Sequence, residues 1–192
     1  MALDRLLELV ERLGALLRSY GNRRTGGLQP VHLLALHYLS RCNRYSNTPG
    51  ALAAYLGATR GTTSQSLDVL ERRGLVRRTP DSQDGRVVRL HLTAQGRRLL
   101  DRERRRLLTQ LEQWERVRAQ DLDTAERVLE GLLRHLQQAN NYRTFGLCRT
   151  CRHLLREGPG KFRCGLTLEP LTQAETGQIC HEHEYPAAQA AP

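Results

Sequence analysis

Four cysteines gather near the C-terminus. Cys148 and Cys151 are separated by two residues, Cys164 follows after twelve more, and Cys180 after a further fifteen. A Cys-x2-Cys turn places two thiolates on one side of a tight loop, at a separation one metal can bridge, and two more thiolates complete a tetrahedral shell. Two chemistries use such a set. Structural zinc would fold a segment too small to build a core. An iron–sulfur cluster would make the protein a redox or iron sensor. The single cysteines Cys164 and Cys180 suit a cluster, whereas base rate favours zinc. Gly165 after Cys164 frees backbone amides for a second metal-binding turn, and Arg149, Arg152, Arg156, Lys161 and Arg163 would offset thiolate charge. His153, His181 and His183 lie beside the cysteines as weaker candidates, read first as surface or supporting groups. Cys42 stands alone in an apolar run and reads as a small buried hydrophobe.

A second set of residues suits recognition rather than reaction. Arg60, Gly61, Thr62, Thr63, Ser64, Gln65 and Ser66 are consecutive and polar. Arginine can clamp a guanine or a phosphate, glutamine pairs with adenine, and threonine methyls can touch the thymine methyl. Further on, Asp81, Asp84, Gly85 and Arg86 form a charged tip. An arginine there could enter the narrow minor groove, where negative potential is focused, and a nearby aspartate could direct its guanidinium. Arg77, Arg78 and Arg89 flank that tip as candidate phosphate contacts.

These residues need elements to carry them. Thr48 and Pro49 cap and open a short helix ending near Leu56–Gly57. Thr59 caps the next, which runs to Arg73 and stops at Gly74. Residues 75–79 and 86–92 alternate as two antiparallel strands around the turn-forming residues 80–85. Helix, turn, helix and two-stranded tip make a winged helix-turn-helix, with the second helix offered to the major groove. Before it lie an amphipathic helix over 3–20 (Leu6, Leu7, Val10, Leu13, Leu17, Tyr20) and a helix over about 30–45 opened by Pro30, with Val31, Leu34, Tyr38, Leu39 and Cys42 on one side. After it, a long helix from Thr93 carries Leu99, Leu100, Leu107, Leu111 and Trp114. Another, capped by Asp121 or Asp123, carries Leu122, Val128, Leu129, Leu132, Leu133 and Leu136. The two long helices hold more apolar surface than a lone wing domain covers, which predicts a dimer interface.

The 192 residues carry a net charge of +10, nearly all of it arginine, with Lys161 the single lysine. Such a balance favours a polyanion, and DNA is the commonest. No nucleophile–base set or phosphate loop stands out, so an enzyme is not expected. The charged N-terminal helix is unlike a secretory leader and no apolar run could span a membrane, which predicts a cytoplasmic protein, where clustered cysteines favour metal over disulfides. A rival reading is an electron-transfer protein with a four-cysteine cluster, its winged helix serving protein contact. It leaves the tip arginine and the basic surface without a purpose.

The run Leu70-Glu71-x-x-Gly74-Leu75-Val76-x-Arg78, the Asp81-x-x-Asp84-x-Arg86 tip and Leu92-Thr93-x-x-Gly96 resemble the MarR family of bacterial regulators, over residues 3–138. The resemblance implies a homodimer joined through its terminal helices, a palindromic double-stranded operator, usually repression, and release by a ligand or oxidant; the small-molecule ligand stays unidentified. It also makes residues 142–192 an addition to the family pattern. The expected organisation is therefore mainly α: a DNA-binding and dimerisation domain over 1–141, a Cys-rich metal-binding appendage over 142–185, and a disordered tail over 186–192.

Overall fold

The computed structural model describes residues 2–22, 26–111, 118–139 and 144–186. Trp114 and nearly all of the expected tail lie outside them, as does the side chain of Tyr20.

Helix α1 (Ala2–Asn22) leaves its leucines at the surface, and α2 (Pro30–Arg41) is the central core helix. Pro30 opens α2 at a position where its missing N–H costs nothing, and the His32 ring accepts the Gln29 N–H at 3.0 Å. Helix α2 stops at Arg41 rather than running to residue 45, because Cys42 is extended and Asn43 turns away to meet residues far along the chain. Helix α3 (Pro49–Leu56) starts where the Thr48 hydroxyl accepts the Ala51 N–H, and ends at Gly57, left-handed at φ 60°. Helix α4 (Arg60–Arg72) starts under the Thr59 hydroxyl, which accepts the Thr62 N–H.

Strands β1 (Val76–Pro80) and β2 (Val88–Leu92) pair antiparallel, Val76 opposite Leu92 and Pro80 opposite Val88. Thr93 closes this hairpin onto α5 (Ala94–Leu111): its hydroxyl accepts the Gly96 N–H and donates to the Gly74 carbonyl. Gly96 is required, since a side chain there would collide with the Leu75 carbonyl oxygen. The core joins Leu28, Leu36, Tyr38 and Leu39 to Leu52, Leu67, Leu70, Val76, Leu90, Leu92, Leu99 and Leu100. Helix α6 (Ala119–Ala139) starts two residues before Asp121, which pairs with Arg118 at 2.8 Å, and buries none of its side chains.

The remaining residues build a small β-rich module. β3 (Gly146–Leu147) pairs with β7 (Ile179–Cys180), and β4 (Leu154–Gly158), β5 (Lys161–Cys164) and β6 (Pro170–Leu171) form a second sheet, with helix α7 (Gln173–Thr176) between β6 and β7. The module is packed on the winged helix. Phe145 stands edge-on to Tyr38 and Tyr55, at ring distances of 6.1 and 5.2 Å. Ile179 joins the core, and its carbonyl accepts the Asn43 N–H at 2.9 Å. Edge-on aromatic pairs contribute about 0.5–1.5 kcal/mol beyond their buried area.

Candidate DNA-binding surface and cysteine site

The periodicity of α4 divides its residues. Thr63, Ser66, Leu67 and Leu70 repeat at helical spacing and form the buried face. Arg60, Gly61, Thr62, Ser64 and Gln65 are exposed. Thr63 is a correction to the sequence reading. At 1% exposure its hydroxyl faces the core without a hydrogen-bond partner, so it is not offered to bases.

The tip between β1 and β2 is set by Asp81. One of its carboxylate oxygens accepts the backbone N–H groups of Gln83 and Asp84, at 2.8 and 3.0 Å. The other accepts from Arg89 Nε at 2.6 Å. Hydrogen bonding from Arg89 pulls the Asp81 carboxyl down to about 2. Asp84 accepts the backbone N–H of Arg86 at 3.0 Å. The carboxylate–guanidinium pair expected at Arg86 thus forms at Arg89, and the Arg86 side chain is exposed at the tip.

Arg89 is accordingly a supporting residue. Its NH1 also donates to the carbonyls of Arg44 and Tyr45 and to Asn47 Oδ1, at 2.9, 3.4 and 3.2 Å. Arg78 is engaged as well, donating to Asp68 at 2.7 Å and to the Ser64 carbonyl at 3.3 Å, which fastens β1 to α4. Arg77 is exposed.

Cys148, Cys151, Cys164 and Cys180 all line one cavity, with Asn43, His153 and Glu182. Cys148 begins a single 3-10 turn closed by the Cys151 N–H on its carbonyl at 3.0 Å. Cys164 ends β5 in a loop closed by the Leu168 N–H at 2.8 Å. Here Gly165 lets the chain pass against the His153 carbonyl, to which its own N–H donates at 2.7 Å. The Cys148 thiol keeps its proton and donates it to Cys180. This bond pulls Cys180 down to about 6 and, with burial, pushes Cys148 up. Asn43 Nδ2 donates to Cys148 Sγ at 3.4 Å. Among the described residues, no three His, Cys, Asp or Glu side chains are gathered closely enough to form a ligand shell; what the four share is the cavity wall.

The neighbouring groups have other partners. His183 is 2% exposed, and its Nε2 meets the Thr150 hydroxyl at 3.0 Å, bracing the Cys148–Cys151 turn. Its ring occupies the space a Gly146 side chain would need. His181 Nδ1 meets Ser46 Oγ at 3.2 Å. Arg152 pairs with Glu184 and Arg163 with Glu157, each at 2.6 Å, so these arginines answer carboxylates of the module. Cys42 lines a different recess and packs on the core, and burial pushes its thiol up to about 12. Sequence reasoning missed Asn43, whose only signal is a polar residue directly after an apolar helix.

A family model described as MarR family matches residues 26–87. Comparison with curated proteins finds no match. Among solved structures, Streptococcus pneumoniae FabT in complex with DNA is 22% identical at a TM-score of 0.56, covering 71% of this chain and 95% of its own. The S. aureus MepR–DNA complex is 20% identical at 0.55, covering 67% and 94%. The regulator BldR from Sulfolobus solfataricus is 26% identical at 0.52, covering 72% and 99%. Those proteins are matched almost end to end, so this chain carries an additional portion beyond what they share. The chain is built on the MarR-type winged-helix fold, and its residues 26–87 carry the MarR family's sequence pattern.

Proposed function

We propose that this protein is a homodimeric, double-stranded-DNA-binding transcription regulator, a repressor acting at a palindromic operator, whose four C-terminal cysteines bind zinc or an iron–sulfur cluster. The observation that carries the DNA reading is the two-faced recognition helix. Its buried face locks α4 into the core, while Arg60, Thr62, Ser64 and Gln65 stay exposed beside a wing strand tied to the same helix by Arg78. Residues 26–87, the matched span, contain all of these.

The dimer reading rests on apolar surface. Leu13, Leu16 and Leu17 of α1 and Leu122, Leu133 and Leu136 of α6 are each 45% exposed or more in the single chain. Such stripes at helical spacing ask for a partner helix. The metal reading rests on four thiols around one cavity, one of them held as a thiolate, since the thiolate is the form that binds metal.

Selection from a random duplex pool tests the DNA function. A two-fold symmetric site should be enriched, with half-sites one helical turn apart or a multiple of it, roughly 34–36 Å per turn. A pool showing no enrichment, or only unpaired half-sites, would contradict it.

A further inference from the structure

The loop between α2 and α3, residues 42–48, touches both the cysteine cavity and the wing. On the cavity side, Asn43 is 2% exposed and donates to Cys148 Sγ at 3.4 Å. Its Oδ1 accepts from the Ser46 N–H and hydroxyl, at 3.0 and 2.6 Å, and from the Tyr45 N–H at 3.2 Å. Ser46 is fully buried; its hydroxyl accepts the His181 N–H at 3.0 Å, and its carbonyl accepts the Tyr38 hydroxyl at 2.8 Å. On the wing side, the Arg44 and Tyr45 carbonyls and Asn47 Oδ1 hold Arg89, and the Asn47 carbonyl accepts the Leu90 N–H at 2.7 Å. Arg89 in turn holds Asp81, which shapes the tip carrying Arg86. An unbroken series of hydrogen bonds therefore runs from Cys148 through Asn43, the loop and Arg89 to the wing.

The cavity also discriminates by size. It holds about 50 Å³ of free space, less than two water molecules' share of liquid volume at roughly 30 Å³ each. Even the smallest iron–sulfur cluster brings two irons and two sulfides in addition to four thiolates. A single ion drawn among four thiolates needs far less room.

We propose that the four-thiol cavity is a single-ion site of the zinc class, and that its occupancy stiffens the wing through loop 42–48. This rests on the regulator and metal readings above. With the ion bound, Cys148 becomes a fixed acceptor for Asn43, the loop carbonyls hold Arg89 in one place, and the wing is presented ready-ordered to DNA. Without it, Cys148 is released from the shell, and the order of the loop and the tip falls with it. The zinc-loaded protein therefore binds its operator more tightly than the stripped one, by at least about fivefold, the lower end of ordinary coupling between sites. Coupling of this kind needs a two-state element that both sites bias, and the wing is that element here.

The test uses the full chain and zinc itself. Elemental analysis of anaerobically purified protein should give one zinc per chain and no inorganic sulfide. Stoichiometric iron with sulfide would overturn the single-ion assignment, whereas no retained metal of any kind would remove the metal reading beneath it. Operator affinity and amide exchange of the wing are then compared in zinc-loaded and chelator-stripped protein. Zinc should slow exchange over residues 81–88 and tighten binding. Zinc retention with equal affinities and equal wing exchange would overturn the coupling and leave the metal reading standing. Asn43→Ala should keep zinc but bring the loaded-to-stripped affinity ratio close to one, while Cys42→Ser keeps both zinc and ratio. An Asn43→Ala protein with the wild-type ratio would overturn the route. If that variant does not fold, the wild-type exchange comparison decides alone.

Discussion

Exposure separates side chains of similar chemistry. Thr62 and Thr63 are neighbours of one type, yet the first is exposed while the second is buried with an unpartnered hydroxyl. A buried hydroxyl without a hydrogen bond costs about 1–3 kcal/mol. Thr63→Val removes that hydroxyl at nearly constant shape. It should leave operator affinity unchanged and hold or raise stability by up to about 1 kcal/mol, read from the midpoint of denaturant unfolding. Arg60→Ala or Gln65→Ala should do the reverse, preserving the unfolding midpoint but losing about 1–3 kcal/mol of discrimination at one base pair. Polar type and proximity to a cap are visible in sequence, and both Thr62 and Thr63 have them. What separates them is the phase of the helix against its core, which Leu67 and Leu70 disclose through their spacing from Thr63.

At the scale of elements, local signals carried furthest where local chemistry decides. Thr48–Pro49, Thr59, Gly57 and Gly74 bound α3 and α4 almost as the sequence predicts, because caps and left-handed turns act within a few residues. The end of α2 is set instead by Asn43, whose partner Cys148 is 105 residues away, and no periodicity reveals it. The wing shows the same division. Its turn was readable from Asp81, Asp84 and Gly85, but which arginine the carboxylate holds depends on loop 42–48 standing behind Arg89. Asp81→Ala should free both the tip amides and Arg89, weakening operator binding several-fold with a small change in unfolding midpoint. The pair follows the usual carboxylate sign. Asp81 has its folded value depressed to about 2 from 3.8, so the pair's contribution is complete above about 4 and is lost only as pH falls toward 2. Wing amide exchange corrected for its intrinsic rate should therefore show no transition from this pair between pH 5 and 8. A midpoint in that range that vanished in Asp81→Ala would contradict the arrangement.

For the whole molecule, the four cysteines sit far apart in sequence on three different turns and strands, and the module brings them to one cavity beside the winged helix. The spacing forecast their convergence; it could not forecast that the module docks through Phe145 and Ile179 onto Tyr38, Tyr55 and the end of α2. No described helix is long and apolar enough to cross a membrane, so the exposed leucines of α1 and α6 call for a protein surface. Light scattering at micromolar concentration should give twice the chain mass, and Leu133→Arg should shift it toward the single chain. A monomeric wild-type protein would contradict palindromic recognition. The central claim is that an exposed recognition helix and an arginine-tipped wing bind duplex DNA. Its most direct test is the affinity of the full chain for the selected duplex as salt is raised. The account predicts a steep linear fall of log affinity against log salt, shallower by close to one phosphate's worth, a slope change of about 0.9, in Arg86→Ala. An affinity independent of salt, or identical slopes for wild type and variant, would contradict it.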